Sequence, residues 1–148
     1  MNNLPIFNHV AYQFETTDFV NPAAGNHWNL TLADKHLRSI LSMAWAFIPG
    51  AAAGNRYMQF LATSSAGGFK YIFQDPTPMV TGFVYQFAAC ASGPYVPCVP
   101  DNGVGLIPLP SELYIEDADS IHLIVMGILP ADQLFAPCIQ FKIWRSEP

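Results

Sequence analysis

The stretch that decides the fold runs from Asn55 to Ala88 and reads NRYMQFLATSSAGGFKYIFQDPTPMVTGFVYQFA. Aromatic side chains alternate with other residues over 69–74 and again over 83–87, and this period of two is typical of β-strands. The segments Ser64–Gly68 and Asp75–Pro78 are rich in residues that favour turns. The stretch therefore predicts three strands that form an antiparallel meander and turn their aromatic faces towards one core.

The same alternation continues on both sides of this stretch. It predicts further strands at 28–32, 41–47, 113–115, 121–125 and 139–143. About eight short strands without the spacing of βαβ units indicate an all-β protein. We expect a single antiparallel β-sandwich over residues 27–148, with a jelly-roll or Greek-key topology.

The segment 41–47 could also form a helix, and as a strand it would have one face of small residues. A helix over 37–47 is the alternative, because Ala, Leu and Met favour helices, but Ile48-Pro49-Gly50 would end it early. As a strand, the segment carries only small residues on its second face. That face is predicted to make close contact with a layer outside its own sheet.

Residues 1–26 are rich in Asn, Pro and Thr and contain large apolar side chains at no regular period. Two interpretations remain open, an extended N-terminal arm or a first edge strand at Val10–Phe14. An arm with large apolar side chains has to lay them on its own domain or on a neighbouring subunit. The predicted contact residues of this segment are Ile6, Phe7, Tyr12, Phe14 and Phe19.

Residues 90–110 contain five prolines and three glycines. This composition excludes a helix and an interior strand, because proline lacks the N–H group that both require. Long loops usually carry function, and the apolar side chains of this loop predict contact with another surface. The predicted contact residues here are Tyr95, Val96, Val99, Leu106 and Ile107.

The composition limits the possible partners. Of the 148 residues 51% are hydrophobic and only 11% are charged, with a net charge of −5, and this surplus of apolar side chains predicts an oligomer or part of an assembly. The six Lys and Arg residues are scattered, so we expect no direct nucleic-acid binding. Neither a membrane span nor a secretory signal is expected. Three cysteines favour reduced thiols, although a Cys90–Cys98 disulfide stays open.

No set of residues in the chain predicts catalysis, a metal site or a cofactor. The histidines lie apart in the sequence, at His9, His27, His36 and His122. The cysteines have no nearby base, and the carboxylates of 112–119 are typical of a polar turn. A cupin-like enzyme is therefore the least favoured hypothesis. Aromatic side chains can stack on sugars, so Tyr95, Tyr114 and Trp144 keep a carbohydrate- or receptor-binding domain open as an alternative.

Several segments carry a resemblance to a class of viral proteins. They are Asn55-Arg56 at the start of a strand after a Pro/Gly/Ala loop, the strand Phe83–Phe87, the segment Leu109–Ile115, and the final pair 119–123 and 143–144. In this pattern, over about residues 28–144, the chain resembles the small β-sandwich structural proteins of tailed bacteriophages. That class includes capsid decoration (cement) proteins, head fibres and tail adaptors.

The resemblance implies a non-enzymatic protein of the virion that is synthesised in the host cytoplasm. A decoration protein of this type sits on the capsid surface, often as a homotrimer, and binds the major capsid protein. No active site, metal or cofactor is implied. The contact residues expected for this role are those of the N-terminal segment and of the proline-rich loop, together with Trp144.

Overall fold

The computed structural model describes residues 12–33, 35–100 and 103–144. In this part of the chain it contains ten β-strands and no helix. The strands are β1 (Tyr12–Asp18), β2 (Trp28–Thr31), β3 (Leu37–Ile48), β4 (Tyr57–Thr63), β5 (Phe69–Gln74), β6 (Tyr85–Ala91), β7 (Val104–Leu109), β8 (Tyr114–Ile115), β9 (Ser120–Met126) and β10 (Gln133–Trp144). The all-β prediction is confirmed, and the segment that had a helical alternative is strand β3.

The strands form two sheets around one core. The six-stranded sheet has the order β1-β10-β3-β6-β7, with β8 paired to β3, and the four-stranded sheet has the order β2-β9-β4-β5. All strand pairs are antiparallel except β6 with β7. The order is nested, because β1 pairs with β10 in one sheet and β2 pairs with β9 in the other. The nesting supports a jelly-roll topology, which stays a prediction.

Large side chains from both sheets fill the core. Phe47 comes from the six-stranded sheet and Phe60 from the four-stranded sheet, and neither has any exposed surface. Trp45 stacks on Phe87 with 5.5 Å between ring centroids. Truncating a buried aromatic of this kind typically costs about 3–5 kcal/mol. The inward positions of the alternating segments therefore contribute much of the stability.

The predicted meander over 55–88 is wrong in one respect. Strands β4 and β5 form the expected hairpin, but β6 lies in the opposite sheet. The connection crosses the end of the sandwich, where Arg56 and Met79 exchange backbone hydrogen bonds of 3.1 and 2.7 Å. An aromatic face can reach a shared core from either sheet, so periodicity alone does not distinguish a meander from a crossing.

Two predicted connections contain strand residues. The proline-rich segment 90–110 includes β7, which lies at the sheet edge and runs parallel to β6. Pro108 is tolerated there because an edge strand need not donate on both sides. The connection 127–137 ends inside β10, whose pairing with β3 shifts register between Phe135 and Cys138. This irregularity interrupts the alternation of inward and outward residues, so the first part of β10 is not recognisable as a strand from the sequence.

The N-terminal segment contains an edge strand. Strand β1 pairs with β10, from Tyr12 opposite Trp144 to Asp18 opposite Cys138. It lies further along the chain than the predicted edge strand at Val10–Phe14. Residues 1–11 of the predicted arm, which include Ile6, Phe7 and Val10, fall outside the described residues.

A buried ion pair holds one end of the sandwich together. Arg56 donates to the Asp132 carboxylate through Nε at 2.9 Å and through Nη2 at 2.8 Å, and both side chains are fully buried. Asp132 also accepts the backbone N–H groups of Gly50 and Leu129. Burial by itself opposes ionisation of this carboxyl, but the hydrogen bonds from Arg56 and from the two N–H groups lower the pKa of Asp132. The ion pair therefore connects the loop before β4 to the loop before β10.

Candidate functional site

The outer face of the six-stranded sheet has the character of a binding surface. We define the outer face as the side of this sheet that is turned away from the four-stranded sheet. On β3, alternation buries Trp45 and Phe47 in the core and leaves Ala44 and Ala46 on the outer face. The predicted small-residue face of this strand is therefore open to contact from outside the sandwich.

Small side chains from neighbouring strands form a trough on the outer face. The members of this small-residue trough are Ser42, Ala44, Ala46, Ala88, Cys90 and Cys138. Two shallow depressions, of about 450 and 510 Å³, lie along the trough and share Ala44 and Ala88. Because small side chains leave room above the sheet, an approaching side chain can come close to its backbone.

An aromatic cluster lies on the same face, with its members on β1, β10 and β8 and with β3 between β10 and β8. It consists of Tyr12, Phe14, Tyr114 and Trp144, together with Lys142. The ring centroids of Tyr12 and Phe14 are 5.5 Å apart, and those of Tyr114 and Trp144 are 5.6 Å apart. Tyr12 and Phe14 are 54% and 56% exposed. A large part of this aromatic surface is thus available to a partner.

Lys142 connects the two halves of the aromatic cluster. Its Nζ lies 4.2 Å from the ring centroid of Tyr12 and 4.9 Å from that of Trp144. Each such cation–π contact at an exposed site contributes about 0.5–1 kcal/mol. The contacts hold the rings in place, so less side-chain freedom is lost when a partner binds.

Three of the predicted contact residues meet in the aromatic cluster. Tyr12, Phe14 and Trp144 come from opposite ends of the chain, and the pairing of β1 with β10 brings them together. Phe19, also predicted as a contact residue, is half-buried and packs on Trp28 with 5.3 Å between ring centroids. It therefore contributes mainly to the packing of the domain.

The proline-rich loop presents a second set of apolar side chains beside β7. Tyr95 and Val96 are each 39% exposed and Val99 is 55% exposed. Val96 exchanges backbone hydrogen bonds of 3.0 and 2.8 Å with the half-buried Leu106. Ile107, predicted as a contact residue, is only 1% exposed and points into the core. It is therefore not available to a partner in this structure.

Sequence reasoning missed Lys142 and the trough residues on β6 and β10. Lys142 lies between Phe141 and Ile143, which point inward, so alternation does place it outward. Only the register of β1 on β10 shows that it lies over the ring of Tyr12. Pairings between distant segments are not visible in a single sequence, so the contact of Lys142 with the ring of Tyr12 could not be predicted.

Two of the described histidines, His27 and His122, interact with other groups of the sandwich. The N–H of Val125 donates to His27 Nδ1 at 3.1 Å. His122 lies 3.2 Å from the Thr63 hydroxyl, and burial lowers the pKa of His122. Within residues 12–33, 35–100 and 103–144, no three or more His, Cys, Asp or Glu side chains form a group that could hold a metal. His9 lies outside these ranges.

The cysteines are unpaired, and two have thiols that resist ionisation. No disulfide joins Cys90 and Cys98 in this structure. Burial raises the pKa of Cys98. A hydrogen bond with Asp18, together with burial, raises the pKa of Cys138. A thiol with a raised pKa is a poor nucleophile at neutral pH.

The carboxylates of 112–119 belong to a structural turn. Asp119 is 2% exposed. It accepts the N–H groups of Ser65 and Glu116 at 2.9 and 2.8 Å, and it lies 2.5 Å from Lys70 Nζ. Burial by itself opposes ionisation, but the hydrogen bonds from Lys70 and from the two backbone groups lower the pKa of Asp119. This carboxylate is therefore committed to holding the turn against β5.

Comparison with known proteins adds no relative. No family model, no curated protein and no solved structure matches the chain. In the described part of the chain, no helix is long and apolar enough to cross a membrane. The inference of function therefore depends on the outer face and on the sequence pattern.

Proposed function

We propose that the protein is a non-enzymatic structural protein that binds other protein subunits through the outer face of its six-stranded sheet. The observation that carries this proposal is the exposed aromatic cluster, which lies on the same face as the small-residue trough. Tyrosine and tryptophan are among the residues most often found at the energetic centre of protein interfaces. The trough offers room beside them for side chains of a partner.

The chemistry of this surface fits an apolar protein partner. Tyr12 and Phe14 each expose about half of their surface, and burying the rest of such a side chain contributes about 1 kcal/mol. Lys142 is the one cation of the aromatic cluster, and two rings already surround its ammonium group. A partner therefore needs an apolar surface more than it needs opposite charge.

The resemblance to bacteriophage proteins narrows the proposal to a capsid decoration (cement) protein. In this role the protein forms a homotrimer through its sheet edges and its proline-rich loop. It sits on the capsid surface of the virion, and its outer face bridges neighbouring copies of the major capsid protein. Prolines restrict the loop before docking, which lowers the entropic cost of binding. Many copies on one shell add weak contacts into a large stabilisation.

The first test is the mass of the purified full chain in solution, measured by light scattering at micromolar concentration. The trimer proposal predicts three times the 16.3 kDa mass of one chain. The trimer is contradicted if no concentration up to the solubility limit gives a mass that is a multiple of three chains.

The second test is binding to emptied heads of the phage whose genome encodes the chain. The double variant Tyr12→Ala/Trp144→Ala removes two rings of the aromatic cluster and is expected to bind at least about tenfold more weakly, since each lost ring contributes about 1 kcal/mol. Phe83→Ala is the control, because Phe83 is an aromatic residue that is 38% exposed and lies in the connection between β5 and β6, not in the aromatic cluster. Equal binding by wild type and the double variant would refute the role of the outer face.

A second candidate function is carbohydrate or receptor binding. It is favoured by the neighbouring rings of Tyr114 and Trp144, because exposed aromatic pairs can stack on sugar rings. A glycan array separates the two candidates. Binding to a defined glycan that is lost in Trp144→Ala would support this function, and a monomer that binds heads but no glycan would exclude it.

A further inference from the structure

Each sheet of the sandwich has two edges, and an edge strand presents unpaired backbone N–H and C=O groups to its surroundings. The edges are β1 and β7 in the six-stranded sheet and β2 and β5 in the four-stranded sheet. Natural proteins protect such edges with charges, prolines, short strands or covering loops, because an open edge pairs with other chains. Protection therefore marks an edge to which a further strand is not added, and its absence marks an edge that can pair with another chain.

Three of the edges are protected. Strand β1 carries the charges of Glu15 and Asp18, both exposed. Strand β7 contains Pro108, and the proline-rich loop covers part of it through the hydrogen bonds between Val96 and Leu106. Strand β2 has only four residues. Each of these features discourages the addition of a further strand.

Strand β5 lacks these features in the part of the chain that the structure describes. No loop pairs with its backbone there, and the proline-rich loop meets it through the rings of Tyr95 and Phe73, whose centroids are 5.5 Å apart. Its sequence, FKYIFQ, contains no proline, no glycine and a single charge. That charge, Lys70, is engaged inside its own domain by Asp119 at 2.5 Å and by Glu116 at 3.2 Å. Phe69 is 71% exposed and Ile72 is 52% exposed. The edge is thus apolar, and its one cation is held away from it.

The backbone of β5 also has hydrogen-bonding capacity to spare. Residues 69–74 pair with β4 on one side. Among the described residues, no other backbone group is hydrogen-bonded to the backbone of 69–74. The N–H and C=O groups on the second side of the strand can therefore accept a new strand without breaking an existing pairing.

We propose that β5 of one copy pairs antiparallel with β5 of a second copy around a twofold axis at Ile72. This register places Ile72 opposite Ile72 of the second copy, Tyr71 opposite Phe73, and Lys70 opposite Gln74. The opposed side chains match in character, and no like charges face each other, so the strand is complementary to itself. Two four-stranded sheets then join into one continuous sheet of eight strands.

The contact is independent of the proposed function. A twofold contact uses the same patch on both copies and closes after two. The decoration proposal instead assigns capsid binding to the outer face, and it assigns the trimer to the proline-rich loop and the edges of the six-stranded sheet. The pairing of one short strand is also smaller than a standard protein interface. The β5 pairing is therefore expected to depend on concentration.

Cysteine cross-linking tests the pairing and its register. In a background with Cys90→Ala and Cys138→Ala, the variant Ile72→Cys places two thiols directly opposite each other. Opposed Cα atoms in antiparallel strands lie about 4.5–5.5 Å apart, within the range for a disulfide. Mild oxidation is expected to convert Ile72→Cys into a covalent dimer of the folded full chain.

The variant Gln74→Cys in the same background is the matched control. Gln74 is exposed on the same strand and points to the same side as Ile72. In the proposed register, Gln74 of one copy lies opposite Lys70 of the second copy. The two Gln74 positions are therefore four residues apart along the strand, roughly 13 Å, which is too far for a disulfide. The dimer of Ile72→Cys is expected to form about tenfold faster than that of Gln74→Cys, because the pairing raises the effective thiol concentration.

Equal rates of cross-linking for the two variants would overturn the proposal, and so would a faster reaction of Gln74→Cys. A second measurement uses Ile72→Lys, which places like charges opposite each other and is expected to abolish any concentration-dependent dimer seen by light scattering. Persistence of that dimer would also count against the β5 contact. A mass in multiples of two supports the β5 contact and a mass in multiples of three supports the trimer, so the two proposals fail separately.

Discussion

The substitution Asp132→Ala probes the buried ion pair at the end of the sandwich. The carboxylate accepts four hydrogen bonds, of 2.9 and 2.8 Å from Arg56, 2.7 Å from the N–H of Gly50 and 2.8 Å from the N–H of Leu129. Both charged side chains are fully buried. The variant therefore leaves a guanidinium group without its counter-charge and two N–H groups without their acceptor.

The expected loss is large for a domain of this size. Removing one partner of a buried ion pair costs about 3–5 kcal/mol. Because two N–H groups also lose their acceptor, we expect the free energy of unfolding to fall by about 5 kcal/mol. For a chain of 148 residues, each kcal/mol lowers Tm by about 2–4 °C, so the drop should be about 10–20 °C. The double variant Arg56→Met/Asp132→Leu leaves no unpaired charge and is expected to lose less than Asp132→Ala.

Urea and thermal unfolding, followed by tryptophan fluorescence and circular dichroism, measure these differences. A loss below about 1 kcal/mol in Asp132→Ala, typical of an exposed ion pair, would refute the reasoning. So would a double variant that is no more stable than the single variant, because the unpaired charge would then not be the cause.

The remaining predictions concern acid, a glycine and the proline-rich loop. Folding lowers the pKa of Asp132, so the ionised carboxylate stabilises the protein above about pH 4, the pKa of an unfolded aspartate. This stabilisation is lost as pH falls through the lower pKa of the folded state. In acid titrations of unfolding, Asp132→Ala should therefore lose less stability than wild type between pH 5 and pH 2, and parallel curves would contradict this. Gly127→Ala places a Cβ 2.7 Å from the Asn55 carbonyl oxygen at a φ of +77°, whereas Gly82, at a φ of +92°, has no atom within 4 Å of such a Cβ. In urea titrations Gly82→Ala should cost about 1–2 kcal/mol and Gly127→Ala about 2 kcal/mol more, and equal losses would disprove the close contact. Tyr95→Phe removes the hydroxyl that donates to Asp75 at 2.9 Å, so it should lower the free energy of unfolding by about 1–2 kcal/mol. It should also speed limited proteolysis of the proline-rich loop on the C-terminal side of residue 92. An unchanged cleavage rate would show that this hydrogen bond does not hold the loop.

The strands that could be predicted are those whose alternation is unbroken. Strand β9 alternates between buried and more exposed residues over 120–125, and β3 does so over 42–47. Strand β5 alternates aromatic with other side chains over 69–74, and the sequence shows all three. Strand β7 was not predicted, because Pro108 and the neighbouring prolines and glycines mark the segment as a loop. The start of β10 was missed because its pairing with β3 shifts register near Cys138.

The binding surface could be predicted only in parts. The small-residue face of β3 and the candidates Tyr12, Phe14 and Trp144 were all visible in the sequence. Their assembly into one outer face, with Lys142 between the rings, was not. Proximity across strands depends on which strands pair and in which register, and a single sequence does not contain that information.

The sequence by itself determined the class of the fold, the inward residues of most strands and the low charge of the surface. These follow from local physics, because alternation sets which side chains face the core and composition sets how much apolar surface remains outside. Tertiary structure decided that β6 crosses to the opposite sheet, that β1 pairs with β10, and that β5 lies at a sheet edge. These depend on contacts between segments far apart in the chain, which form only when the two sheets close around their common core.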